Sequence, residues 1–258
     1  MSHEENASQD DFTVIQLTDV LDLHSVPPRD VKGVVEAYLD EARLRGWTAL
    51  RIIHGKGIGR QREIVRGILG KSPFVKAFGD APMEAGGWGS TVVTLIPGPR
   101  IEVVRAEPDE QPILANLLEL YAHDFSEFKE LQLHDDGRFG YPHLPLYWRE
   151  PDRHPFLIRV DGNLAGLALV KRDSANWDMA EFFIVRGYRK QGIGSHAARR
   201  VWEQFSGDWQ VRVLEANSAK HFWEYAIAAF VGNPVKPDAL EKDGRAWRVF
   251  SFPVHPAA

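Results

Sequence analysis

The sequence predicts a two-domain chain of the α/β (α+β) class: a small two-layer α/β sandwich, then a mixed sheet flanked by helices. Three observations carry this. Segments with helical and with strand periodicity alternate along most of the chain. Ile96-Pro-Gly-Pro-Arg100 interrupts them, because two prolines around a glycine continue neither a helix nor a central strand. Each half then has its own glycine-rich turn between a strand and a helix, His54-Gly-Lys-Gly-Ile-Gly59 and Gln191-Gly-Ile-Gly194. A length of 258 residues is comfortable for two cores. The reading divides the chain into a disordered acidic tail (1–13), a first unit (14–96), a stiff linker (97–100) and a second unit (101–258).

In the first unit, Val20 to His24 reads as a strand end. Pro28 to Arg45 reads as a helix with Val31, Val34, Val35, Tyr38, Leu39 and Ala42 on its buried stripe and Gly46 as its stop. Leu50 to Ile53 is a strand, Arg60 to Leu69 a helix, and Phe74 to Phe78 and Thr91 to Leu95 are strands. The second unit opens with a strand at Ile101 to Arg105 and an amphipathic helix at Gln111 to Tyr121. Phe156 to Val160 and Leu164 to Val170 flank Asp161-Gly162, a two-residue hairpin signal. A strand at Met179 to Val185, the second glycine turn with its helix, a strand at Trp209 to Leu214, a helix from Ser218 to about Phe230 and a strand at Ala246 to Phe252 complete the order.

Composition narrows the function classes. The charged fraction of 26% and hydrophobic fraction of 44% are those of a soluble globular protein. No apolar run reaches the length of a membrane helix, and Met1-Ser-His-Glu-Glu lacks a signal-peptide charge pattern, so no membrane partner is expected. The absence of cysteine excludes disulfides, thiolate metal sites and a cysteine nucleophile, and fits a cytoplasmic protein; no metal site is expected. A net charge of −5 argues against wholesale nucleic-acid affinity but leaves room for local basic patches.

The segment Ile184-Val-Arg-Gly-Tyr-Arg-Lys-Gln-Gly-Ile-Gly-Ser195 runs from an apolar strand into the second turn. Such a turn aims unpaired N–H groups and the positive end of the helix dipole at one point, where an anion can sit. Gly192 and Gly194 let a phosphate approach the backbone, and Arg189 and Lys190 add charge. Arg189-Lys-Gln-Gly192-Ile-Gly194 resembles the pyrophosphate loop of the GNAT superfamily of N-acetyltransferases, and the order of elements from Ile101 to about Val254 agrees with that family. The resemblance implies acetyl-CoA as cofactor, held by Ile184, Val185, Arg186, Arg189, Lys190, Gln191, Gly192, Ile193, Gly194 and Ser195, with Asn217 on the pantetheine arm. It also implies a primary-amine acceptor, small molecule or protein.

Acyl transfer to an amine needs a proton acceptor for the attacking nitrogen and a proton for the leaving thiolate. Glu181 is the one acid in the strand entering the loop, and its apolar neighbours Phe182 and Phe183 would raise its pKa, which makes it the candidate base. Many GNAT enzymes protonate the thiolate with a tyrosine on the last helix. Here Trp223 stands in that place and cannot serve, which leaves Tyr225 or solvent. The acceptor pocket is expected between Ala122 and Pro155, with Asp124, Glu127, Asp135 and Asp136 attracting a cation and Phe139, Tyr141, Tyr147 and Trp148 as walls.

In the first unit, Lys56, Gly57, Arg60, Arg62 and Arg66, with Arg51 just before, form a basic face suited to a phosphodiester backbone, opposed within that stretch by Glu63. Asp22 and His24 lie two apart on a strand and project from one face. Leu21-Asp-Leu-His24, His54-Gly-Lys-Gly57 and Gly86-Gly-Trp-Gly-Ser-Thr91 together resemble the three landmarks of the Smr (small MutS-related) domain, with Ser25 where that family usually has glycine. This implies contact with RNA, DNA or the ribosome, with Asp22, His24 and His54 as candidate groups for strand cleavage. The leading expectation is an acetyl-CoA-dependent N-acetyltransferase with an Smr-like unit that contacts nucleic acid or the ribosome. The alternatives are an Smr-type endonuclease for RNA or DNA with a non-catalytic acetyl-CoA-binding domain, and a non-catalytic adaptor.

Overall fold

The structure is a computed structural model and describes residues 18–57, 59–173 and 175–256. The expected tail over residues 1–13 lies outside them. In the first unit β1 (Val20–Asp22), β2 (Ala49–Ile53), β4 (Ser90–Leu95) and β3 (Val75–Asp80) form one sheet in the order β1-β2-β4-β3. β1 and β2 are parallel, as the crossover through α1 (Val31–Leu44) requires, and the other pairs are antiparallel. α1 starts three residues later than its periodicity suggests, because Pro27 to Asp30 close a separate turn. Its stripe of Val31, Val35, Tyr38, Leu39 and Ala42 joins Val65 and Leu69 of α2 (Arg60–Leu69) over Leu21, Leu50, Ile52, Val93 and Leu95.

The second unit has one seven-stranded sheet in the order β10-β11-β9-β8-β7-β6-β5. Its strands are β5 (Ile101–Arg105), β6 (Arg153–Val160), β7 (Asn163–Asp173), β8 (Asn176–Ile184), β9 (Gly207–Leu214), β10 (Asp238–Lys242) and β11 (Arg245–Val254). Every pair is antiparallel except β8 with β9. The two-residue period of the strands divides the core between the faces. Leu157, Leu167 and Leu169 lie under α3 (Gln111–Phe125), while Phe156, Ala168 and Val170 lie under α4 (Ile193–Trp202) and α5 (Ala219–Val231). β10 was not expected. It pairs with β11 across Asp243-Gly244, with all five of its residues exposed.

The two cores read from the sequence as independent, yet the structure joins them at a seam. Leu44, at the end of α1, packs among Ile101, Ile193 and Ala197 of the second unit. A β-carbon on Gly192 would stand 2.3 Å from Leu44 Cδ1, and one on Gly98 in the linker would stand 2.1 Å from the Arg43 carbonyl oxygen. Arg199 Nη2 lies 3.9 Å from Glu41 Oε1 across the seam. His196 sits beside them, and burial, helped by Arg200, drives its pKa from the ordinary 6.5 down to about 4; nearby Glu41 pulls it up, while Arg199 and Arg45 push it down. A histidine depressed by folding keeps its full stability above 6.5 and loses it as pH falls from there through about 4. His196→Gln is therefore expected to shrink the fall in melting temperature between those two pH values. An unaltered pH slope would assign that fall to other groups.

Among the described residues no helix is long and apolar enough to cross a membrane, and no group of three or more His, Asp or Glu is arranged to hold a metal ion.

Candidate functional site

β8 and β9 pair only at Trp177–Trp209 and Asp178–Gln210, and then part. At the fork the buried Asp178 takes Arg212 of β9 in an ion pair, with Lys171 Nζ of β7 at 3.8 Å. Burial still leaves its carboxyl above the usual range. From the fork, β8 carries Glu181 along the opening and ends at Ile184; Val185 and a short turn at Arg186–Tyr188 lead to the glycine loop. Lys190 and Gly192 both adopt left-handed backbone, at φ 60° and 74°. Gly192 caps α4 with no side-chain hydrogen bond to the first turn. The N–H groups of Ile193, Gly194 and Ser195 therefore lack helical partners and remain available to an anion. Gly194 serves a second purpose, since a β-carbon there would stand 3.1 Å from the Phe222 ring of α5.

The loop's arginines are placed differently from the expectation that Arg189 converges on the anion. Arg189 donates through Nε to the Ile184 carbonyl at 2.7 Å and through Nη2 to Asp124 at 2.5 Å. Arg186 Nη2 reaches the other Asp124 oxygen at 2.6 Å. Burial raises the Asp124 pKa, but the two arginines outweigh it and the carboxyl is held below the ordinary range. Asp124 is thus a clasp between α3 and the loop, not an attractor for an acceptor. Gln191 donates to the Gly187 carbonyl at 2.9 Å, and Lys190 is left exposed.

The opening between β8 and β9 forms a cleft of 770 Å³ whose lining includes Tyr121, Tyr141, Glu181, Asn217, Trp223 and Trp247. Burial raises the Glu181 pKa, while hydrogen bonds from Tyr121 and Tyr141 hold it partly back. Tyr141 Oη donates to Glu181 Oε1 at 3.0 Å. Burial pushes the Tyr121 and Tyr141 hydroxyls far above their ordinary range and Tyr147 up to about 12, so these phenols stay protonated donors. Asn217 Oδ1 accepts the Ala219 N–H at 2.8 Å where α5 begins, leaving its amide nitrogen free to face the cleft.

Tyr225 is 65% exposed and is not part of the cleft lining, so its proposed role as acid does not fit; the half-turn from Trp223 puts it on the outer face of α5. Of the expected acceptor walls, Phe139 and Tyr141 line the cleft. Tyr147 is buried in the core under α3, and Trp148 is tied to the Ala106 carbonyl at 3.0 Å. Glu127, Asp135 and Asp136 are exposed and outside the lining. Glu119, which the sequence did not mark, accepts the N–H groups of Phe139 and Gly140 at 2.7 and 3.0 Å and holds that wall in place.

In the first unit Asp22 Oδ1 meets His24 Nδ1 at 2.6 Å and also accepts the His24 N–H at 2.9 Å. That backbone hydrogen bond is the main reason the Asp22 pKa is lowered. The free Nε2 of His24 points at the glycine loop, 3.1 Å from where a Gly55 β-carbon would be. His54 differs from the expected proton-transfer role. It is 5% exposed, its Nε2 pairs with Thr91 Oγ1 at 3.0 Å, and burial lowers its pKa. It braces the loop, whose His54 and Gly55 N–H groups both donate to the Gly89 carbonyl.

The basic face is also thinner than its residue types suggest. Asp80 on β3 takes Arg62 at 2.7 Å and Arg66 at 3.3 Å, and Arg51 donates to the Ala85 carbonyl at 3.3 Å. The Arg62 hydrogen bond is the main reason the Asp80 pKa is lowered. Among the described residues Lys56 and Arg60 have no acidic partner, and they flank Gly57 and the uncapped start of α2 at Gly59.

These features define a two-unit α/β protein: a compact sandwich with a glycine loop at an uncapped helix start, then a splayed mixed sheet whose opening ends at a second such loop. Comparison with known proteins names the units. Residues 21–96 match the Smr domain model and residues 114–229 the acetyltransferase (GNAT) family model, so the chain carries an Smr domain followed by a GNAT-family domain. It is similar to endonuclease MutS2 of Carboxydothermus hydrogenoformans, 44% identical over 75 residues, covering 29% of this chain and 10% of that protein. The chain thus spans about a tenth of the length of the curated relatives it matches. Among solved structures it is similar to the Smr domain of Thermus thermophilus MutS2, with 40% identity, 30% of this chain, 98% of that one and a TM-score of 0.29. An acetyltransferase from Thermus thermophilus aligns with 60% of this chain and 97% of its own at 16% identity and a TM-score of 0.47.

Proposed function

We propose that the chain is an acetyl-CoA-dependent N-acetyltransferase for a primary amine, and that its Smr domain brings it to nucleic acid, alone or within a ribosome. One observation carries the first half: Glu181, its pKa raised by burial, lies in a cleft between strands that part towards an uncapped, amide-rich helix start. Acetyl-CoA would supply the acyl group as an activated thioester. The amides of Ile193, Gly194 and Ser195 would hold its pyrophosphate, and the Asn217 amide would hold its pantetheine arm. Phe139 and Tyr141 wall the acceptor side. Glu181 takes the proton from the amine nitrogen as it attacks, and Tyr121 and Tyr141 fix the carboxylate's orientation. With Tyr225 outside the cleft lining, the proton for the leaving thiolate would come from solvent.

Incubating the protein with labelled acetyl-CoA and a fractionated extract tests this. A fraction labelled by the wild type and not by Glu181→Gln identifies the acceptor; absence of any labelled fraction removes the transferase reading.

For the Smr domain, Lys56 and Arg60 beside the glycine loop, without an acidic partner among the described residues, support phosphate binding. Changing both to Ala in the full chain should weaken binding to all sequences alike and lower the log–log salt slope by about 2. An unchanged slope would place the phosphates elsewhere. A second reading, strand cleavage, is favoured by the exposed Asp22–His24 pair facing that loop. His24→Ala should abolish cleavage of RNA or DNA and leave binding in place.

A further inference from the structure

We propose that Trp88 is a stacking platform for an unpaired base, so that the Smr domain takes single-stranded nucleic acid; this rests on the nucleic-acid reading above. All eight tryptophans lie within the described residues, and Trp88 alone is exposed, at 46%. It rides on the short turn Gly87–Gly89. Two left-handed glycines, Gly86 at φ 107° and Gly87 at φ 53°, shape that turn, and the Ser90 hydroxyl locks it to the Ala85 carbonyl at 2.7 Å.

The turn is pressed against the phosphate-binding loop. A β-carbon on Gly89 would stand 2.9 Å from Lys56 Cγ, and the Gly89 carbonyl accepts the N–H groups of both His54 and Gly55. On its other side the indole lies over the start of α2, 3.7 Å from where a Gly59 β-carbon would be. The Arg62 guanidinium sits 5.4 Å from the indole centroid, itself fixed by Asp80. An aromatic surface therefore stands beside uncapped helix amides and beside Lys56 and Arg60, which have no acidic partner among the described residues.

The combination fits a base next to its own phosphate. Asp80 pairs with both Arg62 and Arg66 and offsets one of their two charges, so the face offers a rigid duplex fewer free cations than its residue types suggest. A base inside a duplex has both faces covered and cannot reach the indole, whereas a single strand can present a base and a phosphate together. Stacking on an aromatic face tolerates any base, so the contact selects strandedness and not sequence.

The test uses the full chain and four labelled probes of about a dozen nucleotides, within the footprint of single-strand binders. These are oligothymidine, oligouridine, a DNA duplex, and an abasic strand that keeps the phosphates and lacks the bases. The wild type is expected to favour the two single strands over the duplex and the abasic strand. Trp88→Ala should weaken single-strand binding by about 5- to 100-fold and leave abasic binding and the salt slope unchanged, while Trp88→Phe keeps most of the affinity. A loss confined to oligouridine would support the platform and assign the strand as RNA; equal losses support it for both sugars. Unchanged single-strand binding by Trp88→Ala, an equal loss on the abasic strand, or a wild-type preference for duplex overturns the platform alone. A wild type that binds no probe at low salt overturns the platform and the nucleic-acid reading together.

Discussion

Replacing Glu181 by glutamine is expected to lower kcat for acetyl transfer by about 10²- to 10⁴-fold while leaving acetyl-CoA affinity near that of the wild type. The substitution keeps the shape and one oxygen to accept the Tyr141 hydroxyl, but it removes the proton acceptor. In the wild type the acidic limb of the pH–rate profile should lie above the ordinary carboxylate range, because burial raises the Glu181 pKa. The tyrosines supply a control of known sign. Tyr141 donates to Glu181 and stabilises its charged form, so Tyr141→Phe should move that limb to still higher pH. A Glu181→Gln enzyme with an undiminished rate, or a Tyr141→Phe limb that moves down, would remove Glu181 from the chemistry.

The second large effect is expected at the helix start. Acetyl-CoA at about 100 times its Kd should stabilise the wild type by about 2.7 kcal/mol, and acetyl-pantetheine, which lacks the pyrophosphate, by much less. Ser195→Glu should abolish the acetyl-CoA effect. Ser195 is the third residue of α4, and a glutamate there reaches back to the cap amides and places negative charge where the phosphates would sit. An acid in the first turn also suits the helix dipole, so the variant should fold without penalty. If its melting temperature still rises as far as the wild type's, the pyrophosphate does not bind at this turn. Gly192 is the poorer place for this test, because its missing β-carbon faces Leu44.

What the sequence disclosed was local. Asp161-Gly162 between two alternating apolar runs marked the β6–β7 hairpin, and the spacing of Ile193, Ala197, Ala198, Val201 and Trp202 marked the buried face of α4. Asp243-Gly244 carries the same turn signal, but β10 is an edge strand with both faces in solvent, so no alternation flagged it. The glycine loops were legible because their chemistry is held in a few consecutive residues. Their partners were not. Asp80 reaches Arg62 from 18 residues away, Asp124 reaches Arg189 from 65, and Tyr141 reaches Glu181 from 40. Each meeting is fixed by sheet register or helix packing that no local pattern encodes. The two histidines show the same limit: only the fold tells that His24 faces the loop from solvent while His54 is enclosed behind it.

Leu44 and Gly192 occupy one another's space, which ties together the histories of two domains that could otherwise be exchanged freely. A chain that gained a β-carbon at position 192 would have to lose bulk at position 44, so these two positions are expected to change in step among relatives that keep both units. The same dependence limits how the polypeptide can be divided. Cleavage at the linker and removal of the first unit would leave Ile101, Ile193 and Ala197 without the side chain that covers them. The GNAT domain made alone should then be the stickier product, recovering its monodispersity when the end of α1 is left attached.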